Sequence, residues 1–248
     1  MRSNLIEKDW ELDNILRKGE MLLIQGPSNI GYELSTTILS SQTALALSLG
    51  QNIMLFKNMS NKKVLFINTY LDNRELFSIT STQIGGETNF SKYSNNFMMI
   101  SIPSSKIEEN KEKIKEIVKN SCADVIVWDN INRLVNKETT LIKAILLIKE
   151  ISGLKTKIVS HYFNQSKHPY EIFTLSQESS AFITLSHIVS TEKYTLNIER
   201  KNGNFLSSAK CYRHEKRLSF YNDYVNLYQL PNVKEPISHD EGIIPPLP

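Results

Sequence analysis

Gly26-Pro27-Ser28-Asn29-Ile30-Gly31-Tyr32-Glu33 follows the apolar run Met21-Leu22-Leu23-Ile24-Gln25 and precedes a helix-type run from Leu34 to Leu49. Strand, glycine-bounded turn and helix is the setting in which a backbone cradle for phosphate works. The turn's N–H groups and the helix N-terminus converge on one point there. The side-chain pattern of such a loop is G-x-x-x-x-G-K-[ST]. Gly26 and Gly31 have its spacing, but Tyr32 stands at the lysine position and Glu33 at the hydroxyl position. In a working loop, lysine neutralises phosphate oxygens and the hydroxyl helps to hold Mg²⁺. Tyr32 brings no charge, and Glu33 brings a negative one. By itself the stretch reads equally as a glycine-rich turn between any strand and any helix.

Downstream, apolar runs alternate with helix-type segments. Lys63–Asn68, Phe97–Ile102, Ala123–Asp129 and Thr156–His161 have the β-branched and apolar content of buried strands. Asn73–Gln83 reads as a short helix ending at Gly85-Gly86. Ser105–Ser121 is amphipathic, with Ile107, Ile114, Ile117 and Val118 on one face and a solvated run of Lys and Glu on the other. Glu138–Leu154 places Leu141, Ala144, Ile145, Ile148 and Ile151 on one side. Gly50–Asn61 reads as a loop anchored by Ile53, Leu55 and Phe56. Such alternation predicts a parallel sheet with helices on its faces. After Gln177 the pattern becomes short strands, Phe182–Ser190, Tyr194–Arg200, Phe205–Tyr212 and Arg217–Tyr221, with a hairpin turn at Lys201-Asn202-Gly203-Asn204. From Leu230 to Pro248 the chain holds Pro231, Pro236, Pro245, Pro246 and Pro248 and few large apolar residues, the composition of a flexible tail.

The totals exclude several classes. With 248 residues, 40% hydrophobic and 22% charged, the chain suits one large α/β domain or two small ones. Lys+Arg 29 against Asp+Glu 26 demands no polyanionic partner. Cys122 and Cys211 lie far apart in no metal-type spacing, which fits a reducing, cytosolic setting. No apolar run reaches membrane-spanning length, no signal-type leader is legible, and no internal repeat is seen.

Val125-Ile126-Val127-Trp128-Asp129 is an apolar strand ending in a carboxylate, about one hundred residues after the glycine-bounded loop. That is the shape of the second acidic motif that orients Mg²⁺ in P-loop proteins, and equally of a buried strand with a polar cap. With this stretch in place the chain resembles the RecA-like ATPases, and within them the hexameric replicative-helicase type of plasmid RepA proteins. The resemblance rests on Asp9-Trp10 with Leu16–Pro27, on Lys63–Ile67 with Asp72-Asn73-Arg74-Glu75-Leu76, and on Asp124–Asn130. It continues through Ile158-Val159-Ser160-His161, Ser179–Phe182 and Glu199–Gly203. It implies a RecA-like fold, with a mostly parallel central sheet flanked by helices and antiparallel strands added in the C-terminal part. The implied boundaries are an N-terminal extension over 1–8, the domain over 9–225 and a proline-rich tail over 226–248.

Three departures bear on activity. Tyr32 and Glu33 replace the loop's lysine and hydroxyl, and the family's catalytic glutamate falls near Tyr70-Leu71, with only Asp72 acidic nearby. The expectation is therefore a non-catalytic, oligomerising or partner-binding protein with no catalytic residues and no cofactor. Its degenerate nucleotide loop would be Gly26, Pro27, Gly31, Tyr32 and Glu33, beside the Walker-B-like Asp129. The alternative is an ATP- and Mg²⁺-binding RepA-like ATPase in plasmid or phage DNA replication. His161 falls at a γ-phosphate sensor position, or is a structural strand-end residue. Arg200 and Lys201 correspond to an interface finger, or are hairpin-tip charges. Lys210, Arg213, His214, Lys216 and Arg217, interleaved with Tyr212 and Phe220, form either a nucleic-acid surface or one solvated sheet face.

Overall fold

The computed structural model describes residues 10–12, 15–27, 32–51, 60–83, 94–103, 107–135, 139–163, 175–187, 193–201, 204–214, 217–222 and 225–226. The 1–8 extension, Ile53, Leu55, Phe56, Gly85-Gly86, Asn202-Gly203 and the tail beyond Asn226 lie outside the described residues. In chain order the elements are β1 (Trp10–Leu12), β2 (Leu16–Arg17), β3 (Met21–Pro27), α1 (Tyr32–Leu49), β4 (Val64–Asn68), α2 (Asn73–Gln83) and β5 (Phe97–Ser101). Then follow α3 (Lys111–Asn120), β6 (Val125–Asp129), a 3-10 turn (Ile131–Leu134), α4 (Leu141–Ser152), β7 (Thr156–Phe163), β8 (Ala181–His187), β9 (Lys193–Arg200), β10 (Asn204–His214), β11 (Arg217–Asn222) and β12 (Val225–Asn226).

All but β1 and β2 join one sheet in the order β12-β11-β10-β9-β8-β3-β7-β6-β4-β5. From β8 to β5 the neighbours run parallel, and from β8 to β12 they run antiparallel. The expected architecture is therefore present: a mostly parallel α/β core with an antiparallel C-terminal extension. Along each central strand the side chains alternate between two cores, as a pleat requires. Leu22, Ile24, Val125, Val127 and Ile158 face α1 and α2. Met21, Leu23, Ile126, Trp128 and Val159 face α3 and α4. Each such side chain contributes roughly 1.5–3 kcal/mol when fully buried, so register is firmly set on both faces.

Helix α1 is buried on every side from Ser35 to Ser48. The sheet lies under it, and β11 packs against both α1 and α2. The inner faces of β8 to β10 join the same core through Ile183, Leu185, Tyr194, Leu196, Ile198 and Cys211. A helix so enclosed would be expected to be apolar all round, yet α1 carries Ser35, Thr36, Thr37, Ser40, Ser41, Gln42, Thr43 and Ser48 in its buried span. Several hydroxyls are satisfied within the helix. Ser41 bonds the Ile38 carbonyl, Thr43 that of Leu39 and Ser48 that of Leu45, at 2.7–2.9 Å. Small side chains let the helix approach closely. A Cβ added to Gly26 would stand 3.0 Å from Thr36 Cγ2, so glycine there is what admits the helix.

Three differences from the sequence reading have simple causes. Helix α1 starts at Tyr32 rather than Leu34. A first helical turn needs no apolar residue, because its N–H groups have no intrahelical partner. Helix α3 starts at Lys111, after a turn through Ile107 to Asn110, rather than in the region of Ser105. The paired strands β1 and β2, which the strand pattern of the sequence does not include, bury Leu12, Ile15 and Leu16 against the α1 face.

Candidate functional site

The chain leaves β3 at Pro27, the described helix resumes at Tyr32, and Ser28 to Gly31 lie outside the described residues. Tyr32 and Glu33 occupy the first turn of α1. What the structure describes closely is the ground beneath that turn. Asp129, at the end of β6, is fully buried. Its Oδ2 accepts a 2.8 Å hydrogen bond from Thr37 Oγ1, and its Oδ1 receives Ser40 Oγ at 3.2 Å and the Ser160 hydroxyl. Thr37 and Ser40 come from α1, and Ser160 comes from β7. The carboxylate therefore pins the helix to two central strands. Thr37 Oγ1 also lies 3.3 Å from the Tyr70 hydroxyl, which the chain supplies just after β4.

Among the described residues no cation takes part in this cluster. Burial pushes Asp129 up from 3.8 to about 6, opposed by the hydrogen bonds from Ser160, Thr37 and Ser40. The hydroxyl facing the carboxylate is Thr37, four residues and one helical turn beyond Glu33. The run Ser35-Thr36-Thr37 with Ser40-Ser41 was the available signal, through the i, i+3 spacing of Thr37 and Ser40. Ser160, within the sensor-type strand, was the third.

Beside Asp129's strand, His161 on β7 is paired in register with Gln25 on β3, and Gln25 with Thr184 on β8. Side chains in register across parallel strands share a face. Gln25 Nε2 donates to Thr184 Oγ1 at 2.9 Å. His161 is fully buried, and neither ring nitrogen has a hydrogen-bond partner among the described residues. Burial lowers its pKa to about 4, so the ring is neutral near pH 7.

Asp72, the one acid near the expected catalytic position, is exposed and caps α2. Its Oδ1 accepts from the backbone N–H of Arg74 and of Glu75, both at 2.8 Å.

Arg200 and Lys201 sit at the opposite end of the sheet. Arg200 is level with Ala181, which pairs with Leu22. At ~3.3 Å per residue that row lies roughly 16 Å from Pro27. There the Arg200 guanidinium donates to Glu20 Oε1 at 2.9 Å and to the Ile15 carbonyl at 3.1 Å. Its Cζ lies 5.0 Å from the Trp10 ring, and Arg17 Cζ lies 4.7 Å from the same ring. Lys201 Nζ donates to the Gln177 carbonyl. Of the basic run at 210–217, Lys210, Arg213 and His214 fall on β10 and Arg217 on β11; Lys210 is exposed, and Lys216 is outside the described residues. Among the described residues no group of three or more His, Cys, Asp or Glu could hold a metal, and no helix is long and apolar enough to cross a membrane.

No family model and no curated protein matches this sequence. Solved structures do match by shape. One is the KaiC-like protein PH0186 from Pyrococcus horikoshii OT3, with TM-score 0.57, 11% identity, and coverage of 86% of this chain and 94% of that one. Another is the flagellar accessory protein FlaH from Methanocaldococcus jannaschii, with TM-score 0.55, 16% identity, and coverage of 90% and 97%. At these identities the likeness shows the fold alone, a RecA-like arrangement of a mostly parallel sheet flanked by helices with antiparallel strands in the C-terminal part.

Proposed function

We propose that this chain is a non-catalytic RecA-like protein, using the packing surfaces of an ATPase fold to bind copies of itself or a partner protein. The observation that carries the reading is the environment of Asp129. Both carboxylate oxygens are engaged by hydroxyls from Thr37, Ser40 and Ser160, inside the protein. A Mg²⁺-orienting carboxylate serves a metal–phosphate complex, whereas this one joins a helix to a sheet. The loop's sequence does not fit Mg²⁺–triphosphate: Tyr32 stands at the position where lysine would balance phosphate charge, and Glu33 adds charge of the same sign. The neutral, buried His161 supports the same reading, since it brings no positive charge to a phosphate.

The competing reading is a RepA-like ATPase of plasmid or phage replication with unusual nucleotide ligands. The motif order favours it. A thermal-shift titration with ATP and Mg²⁺ separates the two. A ligand at 100 times its Kd stabilises the fold by roughly 2.7 kcal/mol. The scaffold reading expects no shift and no Mg²⁺-dependent turnover. Turnover that disappears in Asp129→Ala would establish the ATPase instead. The assembly half of the proposal is tested separately by mass at high micromolar concentration and by pull-down. A monomer that recovers no partner contradicts it.

A further inference from the structure

The parallel strands all begin at the end of the sheet where Arg200 sits, and the turns that lead into them lie side by side there. Backbone bonds knit these turns into one row. The Asp124 N–H donates to the Lys63 carbonyl at 2.8 Å, Thr156 to Asp124 at 3.3 Å, Lys157 to Glu20 at 2.9 Å, Ser180 to Met21 at 2.8 Å and Lys201 to Ser180 at 2.9 Å. The row crosses β4, β6, β7, β3, β8 and β9. At ~4.8 Å per strand it is roughly 24 Å long.

Its charges are one-sided. Arg17 and Lys18 lead into β3, Lys63 into β4 and Lys155 into β7, and Lys201 follows β9. Lys155 is half-buried and the other four are exposed. The acids of this end are already engaged. Glu11 pairs with Lys62, Glu178 with Lys149, and Glu20 with Arg200 at 2.9 Å. Asp124 accepts the Lys63 backbone N–H at 3.0 Å. Among the described residues none of the five cations forms an ion pair with a carboxylate. The whole chain carries only +3, so the row is a local concentration that the totals do not reveal. Like charges set side by side repel one another, and an anionic surface reverses that cost.

Leu154 stands within this row. Helix α4 ends at Ser152, and Gly153 turns the chain with φ +56°. The next residue, Leu154, is 94% exposed, the largest value among the described large apolar residues. Its carbonyl oxygen lies 3.3 Å from where a Cβ on Gly19 would stand, so this tip abuts the Lys18-Gly19 turn. A single exposed leucine is ordinary on a protein surface; this one is set apart by the cations around it. The half-buried Trp10 ring completes the patch, held by Arg17 at 4.7 Å and Arg200 at 5.0 Å.

Two properties choose the partner. The charge row calls for an extended anionic surface. The leucine calls for hydrocarbon close behind the charges. A nucleic-acid backbone supplies only the first. An anionic bilayer supplies both, because acyl chains lie directly beneath its headgroups, and indole rings favour the boundary between them.

We propose that this end of the sheet docks on an anionic lipid bilayer, with Arg17, Lys18, Lys63, Lys155 and Lys201 at the headgroups and Leu154 inserted below them. The contact is peripheral and reversible. It involves neither nucleotide nor assembly, so its success or failure is separate from that of the scaffold reading.

The test is sedimentation of the full chain with vesicles of phosphatidylglycerol mixed with phosphatidylcholine, and with vesicles of phosphatidylcholine alone. Binding to the mixed vesicles only, weakening with added salt, is expected. Lys18→Gln and Lys155→Gln should each weaken it about fivefold. Lys113→Gln makes the same charge change on the exposed side of α3 and should leave binding unaltered. Leu154→Ser should weaken binding about tenfold with the melting temperature unchanged, since that side chain buries almost nothing in the fold. Trp10 fluorescence should shift on binding, the chain's other tryptophan, Trp128, being buried. Equal binding to neutral vesicles, undiminished affinity in Leu154→Ser, or an equal loss from Lys113→Gln would each overturn the proposal. Retention of duplex DNA with no vesicle binding would overturn it as well, and would assign the row to nucleic acid.

Discussion

The two ends of the parallel sheet treat buried charge in opposite ways. At the N-terminal end Arg200 meets a carboxylate, a carbonyl and an indole face, so its charge is balanced and its donors are used. At the C-terminal end Asp129 is more deeply buried, and among the described residues its carboxylate meets only hydroxyls. Three neutral donors solvate a carboxylate but do not neutralise it, and its pKa rises accordingly. An end arranged for stability alone would place a cation, or an apolar residue of the same volume, opposite such a carboxylate. In this chain hydroxyls from α1 and β7 hold the carboxylate instead.

The comparison sharpens first through pH. Asp129 keeps its proton in the fold up to about pH 6, whereas the unfolded chain releases it near 3.8. Between those values the folded state binds more protons, so this group makes stability fall as pH rises. The contribution is flat below and above that window. A gap of about two pH units at about 1.36 kcal/mol each gives roughly 3 kcal/mol, the largest single effect expected here. Asp129→Asn should remove this component: the variant loses less stability than the parent from pH 4 to 7, and near pH 7 equals or exceeds it in denaturant midpoint. A variant several kcal/mol less stable than the parent at pH 7 would show that a positive charge compensates the carboxylate.

A smaller effect tests the hydroxyls. Thr37→Val keeps shape and removes one donor from a buried carboxylate, which costs about 1–3 kcal/mol. The loss should grow as pH rises through 6, because the ionised form depends most on the missing bond. Urea midpoints at pH 5 and pH 8 measure both. Equal losses at the two values would mean that Thr37 acts through packing alone.

The opposite end yields the smallest change. Glu20 and Arg200 are each about a fifth exposed, 23% and 22%, so solvent screens their pair. Glu20→Gln should cost about 1 kcal/mol or less, fading with added salt and showing no step near pH 6. A salt-independent loss of several kcal/mol would erase the contrast between the two ends.

The parallel part of the sheet was legible because its strands, β3 to β8, are mostly apolar runs of 5–8 residues, most of them separated by helices, a pattern that local composition carries. The acidic strand end at Asp129 was equally plain, since a run of apolar residues closed by a carboxylate is local. The carboxylate's partners were not. Thr37, Ser40 and Ser160 look like ordinary hydroxyls until α1 is laid across β6 and β7, and Asp129 lies 92 positions from Thr37. Arg200 and Glu20 are separated by 180 positions, and β1 and β2 are too short, at 3 and 2 residues, to show an alternation. The depth of His161 likewise follows from layers of chain on both sides of β7 rather than from its neighbours in sequence.

The most direct test of the central claim is Mg²⁺-dependent ATP turnover and thermal shift measured on the parent chain and on Asp129→Asn. The account predicts that neither protein hydrolyses ATP above background and that ATP with Mg²⁺ leaves both melting temperatures where they were. A parent protein that is stabilised by ATP with Mg²⁺ and turns it over, with both effects lost in Asp129→Asn, would contradict it.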